Sequence, residues 1–316
     1  MKRAYAIGLV AALAACSGPQ LSPIAAPVSS TSAKMLSKTA ASENLVYVSS
    51  QASSTGAVYI YSRKGQGQAP IGTITDGISS PAGLAVDSSG NLYVANSGNS
   101  TVTVYPPGQT TPSATYSSGV SAPFGVAVGR DGTVYVANVG SPSGGGSVTE
   151  YPAGSMTPNL TIALPGESAI SVALDSSNHL YTSWFSFSTY AVTIYEYATE
   201  GSGTGQNLGL NLPTYVFPAY AIAFDPSGNL IVPVESLTHN PPKYLAVFAP
   251  GATKPKHKID DRSLLDVVTG IAFGSKSDIF YVSAENDHDW LKLTYPKAVP
   301  RDVVNIGSPT GLALSP

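Results

Sequence analysis

From Leu45 to Leu314 the chain runs as short apolar stretches rich in β-branched and aromatic residues, each bounded by Gly, Pro, Asn, Asp or Ser. That pattern predicts strands joined by tight turns. No long stretch keeps a helical period, and Ser263 to Val268 suits at most one helical turn. The clearest stretch is SPAGLAVDSSGNLYVAN (Ser80 to Asn96), followed by a second copy, SAPFGVAVGRDGTVYVAN (Ser121 to Asn138). Each copy reads as an inner strand, a hairpin turn and a second strand.

Aligned on the glycine of the inner strand, the phrase recurs at Gly83, Gly125, Ser171, Ala221, Gly270 and Gly311, at spacings of 42, 46, 50, 49 and 41 residues. A small residue at every one of these positions fits a strand that meets its neighbours closely at a narrow axis. Turns such as Asp87-Ser88-Ser89-Gly90-Asn91 and Asp225-Pro226-Ser227-Gly228-Asn229 suit a type I turn closed by a residue with positive φ. Third strands are expected to end on an aromatic, at Tyr61, Tyr105, Tyr151, Tyr195, Phe248 and Tyr295, and the fourth strands are short and polar. Lys254, Lys256 and Lys258 alternate on one of these, which discourages edge-to-edge pairing.

Repeats of this length predict an all-β fold, a six-bladed β-propeller over residues 43–316. The strand Leu45 to Val48 has no inner partner before it, and Gly311 to Leu314 has none after it. The C-terminal strand is therefore expected to pair with the N-terminal blade and close the ring.

The phrase GLAVDSSGNLYVAN, with the later Val102-Thr103-Val104-Tyr105 and Pro106-Pro107-Gly108, resembles the NHL-repeat propellers and, less closely, the YVTN-type repeats of bacterial surface proteins. The resemblance implies the fold and says little of activity. It covers ligand-binding and scaffold proteins, and related propellers include metal-dependent lyases and lactonases.

Charged residues make up only 11% of the chain, and removing the leader leaves 14 basic against 19 acidic residues, a net charge near −5 with no basic stripe. Nucleic acid is thereby excluded as a partner. Met1-Lys2-Arg3 and the apolar run Ala4 to Ala15 read as a signal peptide, residues 1–15. Leu13-Ala14-Ala15-Cys16 resembles a lipoprotein lipobox, and Cys16 is the chain's only cysteine. The expectation is lipidation at Cys16, a flexible Ser/Ala/Pro tether over residues 16–42, and a membrane-anchored monomer on the extracytoplasmic side of a bacterial envelope. With that cysteine lipidated, the domain is left without disulfides or thiolate metal ligands.

Function in a propeller concentrates where the loops between second and third strands surround the channel mouth. Trp184, Phe185, Phe187 and Tyr190 form an aromatic stretch suited to stacking on a carbohydrate or holding an apolar ligand; packing between blades is the plain alternative. Glu235 and His239, with Glu285, Asp287 and His288 in the next blade, are the residues that would call for a divalent cation. Asn96 and Asn138 offer further carbonyl oxygens. The first three blades supply no acidic or histidine ligands in these loops, and no Gly-x-Ser-x-Gly, His-Glu-x-x-His or P-loop motif occurs. A protein- or small-molecule-binding module is favoured over an enzyme. A metal-dependent lyase or lactonase is the first alternative and a structural envelope component the second.

Overall fold

The computed structural model describes residues 44–53, 55–63, 69–140, 145–197, 204–214, 216–236, 243–259, 267–274 and 308–316, with the backbone of strands at 278–283, 289–294 and 299–305. Strands β1 (Leu45–Ser50), β2 (Ala57–Ser62) and β3 (Gly72–Ile74) are followed by β4 (Pro81–Val86), β5 (Leu92–Asn96), β6 (Thr101–Tyr105) and β7 (Ala114–Tyr116). Next come β8 (Pro123–Val128), β9 (Val134–Asn138), β10 (Ser147–Tyr151) and β11 (Leu160–Ala163), then β12 (Ser168–Leu174), β13 (Leu180–Ser186), β14 (Ala191–Tyr197) and β15 (Gln206–Asn207). The chain continues with β16 (Ala223–Phe224), β17 (Leu230–Glu235), β18 (Lys243–Phe248) and β19 (His257–Ile259). Last are β20 (Val268–Phe273), β21 (Asp278–Ser283), β22 (Asp289–Thr294), β23 (Val299–Asn305) and β24 (Pro309–Leu314).

These strands form six four-stranded antiparallel sheets, each of four consecutive strands except the first, ordered β24-β1-β2-β3. The inner strands adjoin in the order β4, β8, β12, β16, β20, β24 and back to β4, around a common axis. The C-terminal strand pairs with the N-terminal one, Val46 opposite Leu314 and Val48 opposite Leu312. Ser315 adds a hydrogen bond from the Leu45 N–H to its Oγ (2.7 Å) and one from Arg63 to its carbonyl.

The expectation of a six-bladed propeller is corrected to five blades. Five blades are complete, with inner strands of six or seven residues. The remaining sheet, β16 to β19, is incomplete, its inner strand reduced to the two residues Ala223–Phe224. Pro233 explains the loss. The Glu235 carbonyl accepts from the Phe217 N–H on the inner side of β17 (2.9 Å). Two residues earlier and facing the same neighbour, Pro233 has no N–H to give, so the ladder fails there.

Side chains between adjacent sheets form the core, in successive clusters around the ring. Tyr93, Val104, Val126 and Tyr151 pack between the second and third sheets, and Tyr135, Ile162, Val172 and Trp184 between the third and fourth. At the axis the small residues do what their spacing predicts. A Cβ on Gly83 would lie 2.5 Å from the Phe124 carbonyl oxygen, one on Gly125 3.0 Å from that of Ile170, and one on Gly311 would strike that of Ala82. Ser171, in the same column, accepts the Ile222 N–H at 3.1 Å.

One third-strand end differs from expectation. Register places Tyr197, not Tyr195, opposite Leu180, so Tyr195 is not the strand-ending position. The shift follows from aligning on an aromatic residue where the true constraint is the hydrogen-bonded pair. Tyr295 lies outside the described residues. Ser263 to Asp266, the body of the proposed helical turn, lie outside the described residues.

Candidate functional site

The two ends of the channel differ in construction. At one end lie the hairpin turns between first and second strands. In these Asp87 Oδ1 accepts from the Asn91 N–H (2.8 Å), and Asp175 and Asp225 repeat the bond to His179 and Asn229. The expected positive-φ residue is present at Gly90, Gly132 and Gly228, and Asn178 takes the same place in the fourth sheet; residues 275–277, in the corresponding turn of the last sheet, lie outside the described residues. At the other end the loops between second and third strands bond to the segments that join the sheets: Ser97 N–H to Ser80 carbonyl (3.2 Å), Val139 N–H to Ala122 carbonyl (3.2 Å) and Val216 N–H to Tyr190 carbonyl (3.1 Å).

One device recurs at this loop end. In all five complete blades the pairing of inner and second strands slips within the residues just after the strand start: Pro123 faces Asn138 and Gly125 faces Ala137, leaving Phe124 as the extra residue. Ile170, Thr269 and Thr310 are the extra residues of their blades, and Ala82 is the residue before the glycine in the second. Such bulges re-aim a side chain. In the incomplete sheet the excess doubles, because Val216 bridges Ser236 while Ala223 faces Ile231, and Tyr220 lies within the excess stretch.

The column just before the small residue therefore reads Ala82, Phe124, Ile170, Tyr220, Thr269 and Thr310 around the channel. One arc is apolar and the other carries hydroxyls, which are turned to the backbone: Thr310 Oγ1 donates to the Pro81 carbonyl (2.6 Å) and Thr269 Oγ1 to the Pro309 carbonyl (3.3 Å). On the apolar arc the rings of Phe124 and Tyr220 meet with centroids 5.2 Å apart, although their sheets are separated by a whole blade. They join a cluster with Val139, Ile170, Phe185, Phe187, Tyr190 and Val192. Phe185 is its buried floor, 5.0 Å from Phe187 and 6.3 Å from Tyr190, centroid to centroid, both edge-on. Phe124, Phe187, Tyr190 and Tyr220 are half-buried.

Of the aromatic candidates read from the sequence, Phe185, Phe187 and Tyr190 come together here. Trp184 does not. It lies on β13, is fully buried, and packs between the third and fourth sheets, the blade-packing role. It occupies the position of Asn96 and Asn138, whose Oδ1 atoms accept the Ser79 and Ser121 N–H groups (3.1 and 2.8 Å) and fasten the inter-sheet segments. These buried amides are thus structural ties. The sequence reading missed Phe124 and Tyr220, though the column preceding the glycine held the signal.

Glu235, the one metal candidate among the described residues, ends β17 with Oε1 3.0 Å from Lys243 Nζ. The pair lines a small cleft between the incomplete and last sheets, together with Phe217, Pro218, Tyr244 and Val268. His239, Glu285, Asp287 and His288 lie outside the described residues, as does Cys16. Among the described residues no group of three His, Cys, Asp or Glu is placed to hold a metal ion.

The NHL repeat family model matches residues 79–105, the second blade from its connecting segment to the end of β6. Solved structures agree over nearly the whole ring. A protein of unknown function from Bacteroides caccae superposes with a TM-score of 0.62 at 9% identity, covering 87% of this chain and 99% of that one. The chain is an NHL-like β-propeller. Kuenenia stuttgartiensis hydrazine synthase superposes on the NHL-like propeller with a TM-score of 0.60 at 14% identity, covering 82% of this chain and 84% of that one. A chain of a nidogen/laminin complex gives 0.62 at 11%, covering 86% and 98%. At such identities the likeness is one of fold alone. No curated protein matches the sequence of the NHL-like propeller.

Proposed function

We propose that the protein is a ligand-binding module that takes its ligand at the loop end of the channel, on the aromatic arc, and is held outside the cytoplasm by a lipid on Cys16. The observation that carries the binding reading is the meeting of Phe124 and Tyr220 across an intervening blade. Core packing between neighbouring sheets does not require that contact. Phe124 is the extra residue of a bulge and Tyr220 lies in the excess stretch of the incomplete sheet, and half-buried aromatic surface with loops around it is the usual material of a binding site. The anchoring reading rests on Leu13-Ala14-Ala15-Cys16 and the polar segment that follows.

The purified protein is to be titrated with saccharides, apolar fluorophores and peptides, following its intrinsic tyrosine and tryptophan fluorescence. A ligand whose affinity falls about tenfold, roughly 1.4 kcal/mol, in Phe124→Ala or Tyr220→Ala supports the site. Ligands whose affinities ignore both substitutions refute it. For the anchor, Cys16→Ser is expected to release the protein from the membrane fraction, and release that does not occur counts against lipidation.

A further inference from the structure

We infer that the ligand of this site is a neutral saccharide, an inference that rests on the binding reading above. Phe124, Phe187, Tyr190 and Tyr220 are only half-buried, although they gather around the buried Phe185. An apolar small molecule is held by enclosure, with most of its surface covered. Rings left open to water suit a ligand with one apolar face and a hydrated edge, which is the form of a pyranose: axial C–H groups on a face, hydroxyls around the rim.

The groups beside the rings match that edge. Ser186 and Ser188 flank Phe187, their Oγ atoms 3.0 Å apart, and Thr189 follows, exposed between Phe187 and Tyr190. Each hydroxyl both donates and accepts, as sugar hydroxyls require. A carboxylate lies close by: Glu167, three residues before Ile170, accepts from the Oγ1 of Thr193, the residue after Val192 (3.0 Å), and its charge disfavours an anionic ligand.

The backbone is also set for ring placement. Tyr190 sits at φ +52°, a region a bulky L residue enters at a cost. Its N–H bonds to the Ser186 carbonyl (2.8 Å) and its carbonyl accepts from Val216 (3.1 Å), which holds the turn and directs the phenol into the cluster.

The test is isothermal titration of the full-length protein in detergent with maltohexaose, cellohexaose, mannohexaose and a galactan oligomer. Oligogalacturonate serves as the charged probe and cyclohexanol as the neutral apolar one. At least one neutral oligosaccharide is expected to bind, equally well at low and high salt. Phe124→Ala and Tyr220→Ala should each weaken it about tenfold, whereas Tyr220→Phe, which keeps the ring, and Met156→Ala, outside the cluster, should not. Thermal melts establish that each variant is folded. If cyclohexanol binds, with the same dependence on Phe124 and Tyr220, and no neutral oligosaccharide does, the saccharide inference falls and the binding site stands. If no probe depends on either ring, both fall.

Discussion

Single atoms decide how closely the inner strands approach. Gly83, Gly125 and Gly311 each lie against a carbonyl of the next strand in the ring, and the obstacle to a side chain there is backbone, which cannot swing aside. Gly83→Ala would put a methyl 2.5 Å from the Phe124 carbonyl oxygen. The expected cost is about 1–3 kcal/mol, read as a lowered Tm, with the Phe124 ring displaced as well. An unchanged Tm would mean that the second and third blades can separate without loss. This column was legible in the sequence because smallness is a property of the residue itself. The neighbouring column of Ala82, Phe124, Ile170, Tyr220, Thr269 and Thr310 was not read, because its meaning depends on a bulge, and a bulge leaves no mark in a single blade's pattern. Trp184 was misread for a related reason. Its aromatic neighbours suggested a loop, while its place in the register, the position of Asn96 and Asn138, puts it in the core.

Turns and strands show the same division between local chemistry and pairing. The hairpin turns were foreseeable because Asp, Gly and Asn have fixed stereochemical uses. The turn of the incomplete sheet bears most on its blade, since β16 contributes only two residues beside it. There Asp225 is 4% exposed and binds the Ser227 N–H (2.9 Å), the Asn229 N–H (2.8 Å) and Asn229 Nδ2 (2.6 Å). Asp225→Ala would leave those donors without the carboxylate, at a cost of about 1–3 kcal/mol. Asp131→Ala, in an exposed turn of the third sheet, should cost less. Equal losses in urea titrations would show that the incomplete sheet is no more dependent on its turn than a full one. Pro233 could be read as a strand breaker from sequence, yet its effect on β16 required knowing which neighbour its missing N–H would have faced.

Across the whole molecule, tyrosines supply much of the packing between sheets, and this sets an alkaline limit on stability. Burial pushes the phenols of Tyr47, Tyr116, Tyr151 and Tyr197 up, and those of Tyr105 and Tyr135 to about 12. In the unfolded chain each ionises near 10. Below that pH both states are protonated and the stabilisation is fully present. Between about 10 and 12 the unfolded state loses protons that the folded state keeps, so stability falls as pH rises. Phenolate absorbance should therefore lag behind that of a free tyrosine and then rise together with unfolding. A smooth titration centred near 10 with the fold intact would contradict the packing described.

Ring closure makes these parts interdependent, and β24 is where it is made. The strand belongs to the first sheet yet comes last in the chain, so the N-terminal strands β1 to β3 have no inner strand until the final residues are present. It covers Val46 and Val48 through Leu312, contributes Ala313 to the next cluster, and lays Gly311 against Ala82. It also sits between β20 and β4 on the axis, joining the last sheet to the second. Burying a large apolar side chain stabilises by about 1.5–3 kcal/mol. Losing β24 would remove Leu312 and expose its partners, as well as the paired edge of β1. Set against a typical total of about 5–15 kcal/mol, that loss is enough to unfold the domain or to leave an edge that aggregates. A chain ending at Gly307 is accordingly expected to be insoluble or to melt far below the full-length protein. A synthetic peptide spanning Ser308 to Pro316 should restore part of the lost Tm in proportion to its concentration. A truncated protein that stays monomeric and melts unchanged would show that the ring does not depend on this strand for closure.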